Sequence, residues 1–382
     1  MSISPTPVHS HRSAGRRRLY DARRIGAIVF ASTVALVACG DDDASSPRST
    51  PEPPTLAGSG SSAMGTAMTA WSSEFERQSG IGVEYDAIGS GAGRDQFLDG
   101  TVPFAGSDVP LDDEEYAQSV ERCSGERGAV NLPHFVSPIA VAYNLPEIEG
   151  EQLNLTNDAL ALIFLGEIDN WSDPALAEAN PDLTLPDRPI EVIVRNDNSG
   201  TTNNFTQYLA ANAPDVWTPG VFSDWFDEGP SGVGSAQFTE GVVAAVAAGE
   251  GTIGYADLGQ IGSLSAAAIE VAGGFEMPTP EGAAALFESS ERLTGNNDAD
   301  FAFELNRTPD TPGVYPLSLV AYHIVCLDYE DADTAERIRE FMTFAGSETG
   351  QAIARDLAGS SPISDSLREQ LASTINEIGP TS

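Results

Sequence analysis

The chain has 382 residues, 41% hydrophobic and 20% charged, enough apolar material for a buried core and enough length for two lobes. Its formal net charge of -38 repels nucleic acid and anionic lipid surfaces. All 19 basic residues are Arg, and the absence of Lys excludes a P-loop and any Schiff-base lysine.

The predicted elements begin with an export signal. Arg12, Arg16, Arg17, Arg18, Arg23 and Arg24 form a basic stretch before an apolar run from Ile25 to Ala38. A membrane-spanning helix needs about 20 apolar residues, so this run is too short and residues 1–38 read as a signal peptide. Leu36-Val37-Ala38-Cys39 resembles a bacterial lipobox, which implies a lipidated Cys39 at the mature N-terminus; an incidental cysteine is the alternative. Residues 39–55 are mainly Asp, Ser, Pro and Thr, and read as a disordered spacer between anchor and body. With Cys39 assigned to the anchor, Cys123 and Cys326 are left as candidates for a disulfide in an exported protein, though spacing alone does not pair them. Only His134 and His323 lie beyond the signal peptide, too few for a histidine-rich metal centre, and no cofactor motif is present.

Met64, Met68, Trp71 and Phe75 recur at helical spacing before Gly80, and predict an amphipathic helix. Val83–Ile88 predicts a strand running into a glycine-rich loop, Gly89-Ser90-Gly91-Ala92-Gly93. Strand is predicted for Phe135–Tyr143, helix for Asn157–Leu165 with Thr156 as its cap, and strand for Ile190–Val194. Helix follows over Thr201–Ala211 and Val242–Ala248, then strand over Thr252–Tyr255 and Leu317–Cys326. Two helices, Thr334–Ala345 and Glu348–Leu357, come last, while Asn297-Asp298-Ala299-Asp300 reads as a solvated loop rather than a calcium site. Alternating strands and helices point to α/β architecture. Strand, Gly/Ser loop and helix follow one another more than once; helix starts of this kind suit an anion, although each alone is also an ordinary βα turn.

Several ordered motifs carry a family resemblance. Gly89-Ser90-Gly91-Ala92-Gly93, the run from Gly100 to Leu111 that contains Gly106-Ser107-Asp108, and Ile163 to Pro174 are the first three. The strongest is Arg195-Asn196-Asp197-Asn198-Ser199-Gly200-Thr201-Thr202, continued by Gly251-Thr252-Ile253-Gly254-Tyr255 and Tyr315-Pro316-Leu317. From about Leu56 to Leu367 the chain resembles the phosphate-binding proteins of bacterial phosphate-specific ABC importers. The resemblance implies a type II periplasmic-binding-protein fold: two α/β lobes, crossing hinge strands and a ligand cleft between them. Lobe I would take residues 56–143 and 315–382, and lobe II residues 144–314.

The implied phosphate ligands are Ser62, Ser90, Asp108, Arg195, Ser199, Gly200 and Thr201. Asp108 would accept the proton that phosphate keeps and sulfate lacks; a site built around such a bond rejects an analogue without it by about 10⁴–10⁵-fold. Its alternative is a plain turn residue. Two positions depart from the family pattern: Ala63 stands where an aromatic is usual, and Gly91 where a second serine is usual. The implied protein is a monomeric, lipid-anchored, extracytoplasmic binder that delivers phosphate to a permease, and not an enzyme. A binder of sulfate or molybdate is the main alternative. A secreted phosphatase using Ser199 lacks a recognisable catalytic histidine or metal cluster.

Overall fold

The structure is a computed structural model that describes residues 54–294 and 297–381. The signal peptide, Cys39 and nearly all of the expected spacer lie outside the described residues; Thr55, its last residue, already belongs to the first strand. Among the described residues no helix is long and apolar enough to cross a membrane.

In chain order the elements that build the site are strand β1 (Thr55–Gly60), helix α1 (Gly65–Ser79), β2 (Gly82–Asp86), α2 (Ser90–Leu98), β3 (Phe104–Ser107), α3 (Asp113–Arg122) and β4 (Ala129–Tyr143). There follow α4 (Asn157–Leu165), β5 (Glu191–Arg195), α5 (Gly200–Asn212), β6 (Gly234–Ala236), α6 (Phe238–Ala248), β7 (Thr252–Asp257) and β8 (Ser318–Cys326). Met68, Trp71 and Phe75 form the buried stripe of α1, and the Thr156 hydroxyl caps α4 by accepting from the Ala159 N–H. One difference from expectation concerns the glycine run: Ser90 to Gly93 is the first turn of α2, not a loop.

The strands lie in the order β2-β1-β3-β8-β4-β7-β5-β6. β1 pairs in parallel with β2 and β3, and β5 in parallel with β7 and β6. β8 and β4 run antiparallel through the middle. β4 is the element that joins the two halves. Its stretch from Ala129 to Pro138 pairs with β8, and its stretch from Ile139 to Tyr143 pairs with β7. All 15 of its residues are buried, the polar Asn131, His134 and Ser137 among them.

Residues 280–288 and 297–304, expected in lobe II, make contacts with β4 and β8. The Asp300 carboxylate accepts from Asn131 N at 2.6 Å and Asn131 Nδ2 at 2.9 Å. Phe303 N donates to the Tyr322 hydroxyl at 3.2 Å. Asp300 is therefore buried, not a solvated loop residue. In the first half Cys123, at the end of α3, is disulfide-bonded to Cys326, at the end of β8, with Cα atoms 5.5 Å apart. Closing so long a loop restricts the unfolded chain.

Candidate functional site

The site forms where β1, β3 and β5 end and α2 and α5 begin. After β1, Ser61 N donates to Gly106 O at 2.8 Å, which places the Ser61 hydroxyl to donate to Asp108 Oδ1. Asp108 follows β3 and is buried. Its Oδ2 accepts from Thr201 Oγ1 at 3.1 Å, and its N–H donates to Ser90 Oγ at 3.1 Å. Burial pushes the Asp108 carboxyl up; the Ser61 and Thr201 hydroxyls, the Arg195 charge and the Ser90 hydroxyl pull it back.

Ser90 and Gly200 are the first residues of α2 and α5, so the two helix starts face each other across the cleft. A Cβ on Gly200 would lie 2.6 Å from Ser90 Oγ and 2.7 Å from Asp108 Cβ, so only glycine permits this approach. The early N–H groups of a helix have no intrahelical acceptor, and they carry the positive end of its dipole.

Arg195 closes β5 and is 2% exposed. Its Nε donates to Asp197 Oδ1 at 2.8 Å and a terminal nitrogen donates to Asp197 Oδ2, a bidentate pair. Asp197 Oδ1 also accepts from Phe238 N at 3.0 Å, which ties the pair to the start of α6. The next residue, Thr239, meets Ser62: their hydroxyl oxygens are 2.9 Å apart, and Thr239 N donates to Ser62 Oγ at 3.1 Å. Gln260 adds another link, with Nε2 donating to Ser62 O at 2.9 Å and Ala63 O at 2.7 Å.

All seven residues expected at the site are buried in this region. Ser62, Ser90, Asp108, Gly200 and Thr201 touch across the cleft through the contacts given above, and Arg195 reaches them through Thr239. Ser199 differs. Its hydroxyl accepts from Thr202 N at 3.1 Å and its N–H donates to Ser223 O at 3.0 Å, so both groups serve the local structure of α5. Sequence reasoning missed Ser61, Asp197, Asn204, Thr239 and Gln260. Only Asp197 left a signal, two residues after Arg195 in the bend that follows the strand. The missing second serine at Gly91 has a physical reason: a Cβ there would lie 2.4 Å from the Asn198 side chain.

Among the described residues no cluster of His, Cys, Asp and Glu could hold a metal ion. Chemically, the arrangement offers convergent hydroxyl and backbone N–H donors, one neutralised guanidinium and one carboxylate acceptor. That set suits a small protonated oxyanion.

Comparison with known proteins agrees with this geometry. The family model described as the PBP superfamily domain matches residues 45–349. The phosphate-binding protein PstS 3 of Mycobacterium leprae is 36% identical over 336 residues, covering 85% of this chain and 87% of the relative. PstS of Xylella fastidiosa is 32% identical, covering 79% and 80% respectively. Among solved structures, a high-affinity periplasmic phosphate-binding protein bound with phosphate superposes with a TM-score of 0.66 at 20% identity, covering 85% of this chain and 99% of that one. The phosphate-binding protein of Stenotrophomonas maltophilia gives 0.65 at 20% identity, over 86% and 100%. The fold is thus the type II periplasmic-binding-protein fold, and the chain belongs to the PBP superfamily and, within it, to the PstS family of phosphate-binding proteins.

Proposed function

We propose that this protein captures inorganic phosphate outside the cytoplasm and delivers it to the permease of an ABC importer. The observation that carries this reading is Asp108, a buried acceptor held among hydroxyl donors and facing the start of α5. A carboxylate without a paired cation beside an oxyanion makes sense only where the anion brings a proton. Mono- and dibasic phosphate both do; sulfate does not. Ionised, a carboxylate offers about four lone-pair sites, so the Ser61 and Thr201 hydroxyls leave room for that proton. In this reading Ser62, Ser90, Gly200 and Thr201 supply donors, Arg195, its fork taken up by Asp197, supplies only its remaining terminal N–H groups, and Ser199 holds α5 in place. The sequence resemblance and the names of the relatives support the same ligand.

The lobes of the proposal follow the two sheet halves, and residues 280–288 and 297–304 ride with the first. They close on the anion by rotation about β4 and β8. The reading is of a monomeric binder with no catalytic step, tethered through a lipid on Cys39. Cys39→Ser should release the protein from membranes, and continued sedimentation with lipid would count against the anchor. Titration calorimetry of the mature protein with phosphate and with sulfate tests the function. Tight binding of phosphate with sulfate excluded is the expected result, and preference for sulfate would overturn it.

A further inference from the structure

Arg307 is a buried cation that the site described above does not use. One terminal nitrogen donates to Pro316 O at 2.9 Å and Ser318 O at 2.7 Å, at the root of β8. The other donates to Asn204 Oδ1 and, at 3.2 Å, to Gln207 Oε1, both on α5. Every one of these acceptors is a neutral carbonyl or amide oxygen. The Nε–H, also buried, has no partner among the described residues. Burial pulls the guanidinium down to about 9, which still leaves it charged at neutral pH. A buried charge without a counter-charge is unfavourable for stability, so its retention calls for another reason.

That reason lies one residue away. A guanidinium has donors only, so Asn204 must turn its oxygen toward Arg307 and its NH₂ the other way. The NH₂ then donates to Asp108 O at 2.8 Å and to Gly200 O at 2.9 Å. Were Asn204 flipped, its oxygen would face two carbonyl oxygens. One amide therefore joins the acid of the first half to the helix start of the second, and Arg307 decides which way that amide points. The junction forms part of the wall of a cavity of about 1280 Å³ that is lined by Asp108, Asn204, Gln207 and Arg307 but by none of Ser62, Ser90, Arg195, Gly200 or Thr201.

We infer that Arg307 is a positioning residue for anion capture: acting through Asn204, it fixes Asp108 against the start of α5 in the closed cleft and so sets how long the ligand stays. The inference rests on the phosphate reading given above. It concerns a step after encounter, so it separates the rate of release from the rate of capture.

The experiment is stopped-flow and calorimetric phosphate binding by the whole mature protein, its Arg307→Gln and Asn204→Ala variants, and the double variant. Both single variants should speed phosphate release about 10–100-fold and change the association rate no more than about threefold. The double variant should be no worse than the more severe single one, because the two residues act as one unit. Unchanged release in both variants, or full additivity, would overturn the inference. So would a fall in the melting temperature of the unliganded protein with normal kinetics in the folded fraction, the mark of a merely structural role. If Arg307→Gln does not fold, Asn204→Ala decides alone by the same release rate. A wild-type protein that ignores phosphate sinks the phosphate reading at the first titration, whereas tight wild-type binding with unaltered variants sinks only the role of Arg307.

Discussion

Around Asp108 a buried carboxylate is held by neutral hydroxyls, whereas around Arg195 a buried guanidinium is held by a carboxylate of its own. The first wall holds a carboxyl with no cation paired to it; the second pairs its cation with Asp197. The cleft therefore has no net positive charge with which to attract an anion, and a protein of net charge -38 adds none at long range. In physiological salt the distant acids are screened beyond about 8 Å, so they do not forbid binding either. What remains is geometry: donors aimed inward and one acceptor placed to be satisfied by a hydrogen. Such a site trades attraction for discrimination.

Changing the acidic wall should have the largest effect. Asp108→Asn turns an acceptor into a group that can also donate, and the preference for phosphate over sulfate should collapse by on the order of 10⁴-fold. Competition calorimetry measures this; unchanged selectivity would mean that the acidic wall does not read the proton. The basic wall comes next. Arg195→Ala should weaken phosphate binding by about 10²–10³-fold with the fold intact by circular dichroism, partly because it strands Asp197 in the interior. Removing Asp197 as well should recover some of that loss, and a double variant as weak as the single one would break the idea that the guanidinium is neutralised locally.

A third carboxyl sharpens the contrast by a smaller, pH-dependent effect. Asp257 ends β7 and is fully buried; one oxygen accepts from Gly259 N at 3.1 Å, and the Ser137 hydroxyl lies beside the carboxyl. Burial pushes it up to about 8, opposed by the Ser137 hydroxyl and the Gly259 N–H and assisted by the charge of Asp108. Asp257 thus keeps its proton more readily than a free Asp and adds less charge beside Asp108. An unfolded Asp releases its proton near pH 3.9, so between that pH and about 8 folding takes up a proton. Stability contributed by Asp257 accordingly falls as pH rises through this window. Asp257→Asn should flatten the decline and be the more stable form at about pH 8, as urea unfolding at a series of pH values would report. Equal stability of the two proteins across the series would remove Asp257 from this picture.

Much of the basic wall was legible in the sequence because a strand end, a turn and a helix start are neighbours along the chain. Arg195, Gly200 and Thr201 fall within seven consecutive positions, and local pattern suffices to set them side by side. Ser90 and Asp108 of the acidic wall were legible only through their family motifs, since they meet by way of two different strand ends, and Ser61, which follows a third, was missed. Thr239, Gln260 and Arg307 had no local signal at all; they are ordinary polar residues until folding brings them to partners about 100 or more positions away. The glycine run at residues 89–93 misled for a different reason. Glycine lowers helix propensity, so the run reads as loop, but tight packing against Asn198 overrides propensity and helix forms. Likewise the contacts of Asp300 with Asn131 and of Phe303 with Tyr322 are non-local and leave no mark in the local pattern.

The glycine at position 200 turns the meeting of the two helix starts into a gauge with no slack. A single added methyl is thicker than the gap, so Gly200→Ala would act as a wedge, leaving the jaws ajar whether or not cargo is inside. Such a molecule would be a tool as much as a test. Small-angle scattering would show it unable to contract on adding phosphate, and an importer supplied with it would reveal whether the transporter senses the cargo itself or only the shape that cargo imposes on its carrier.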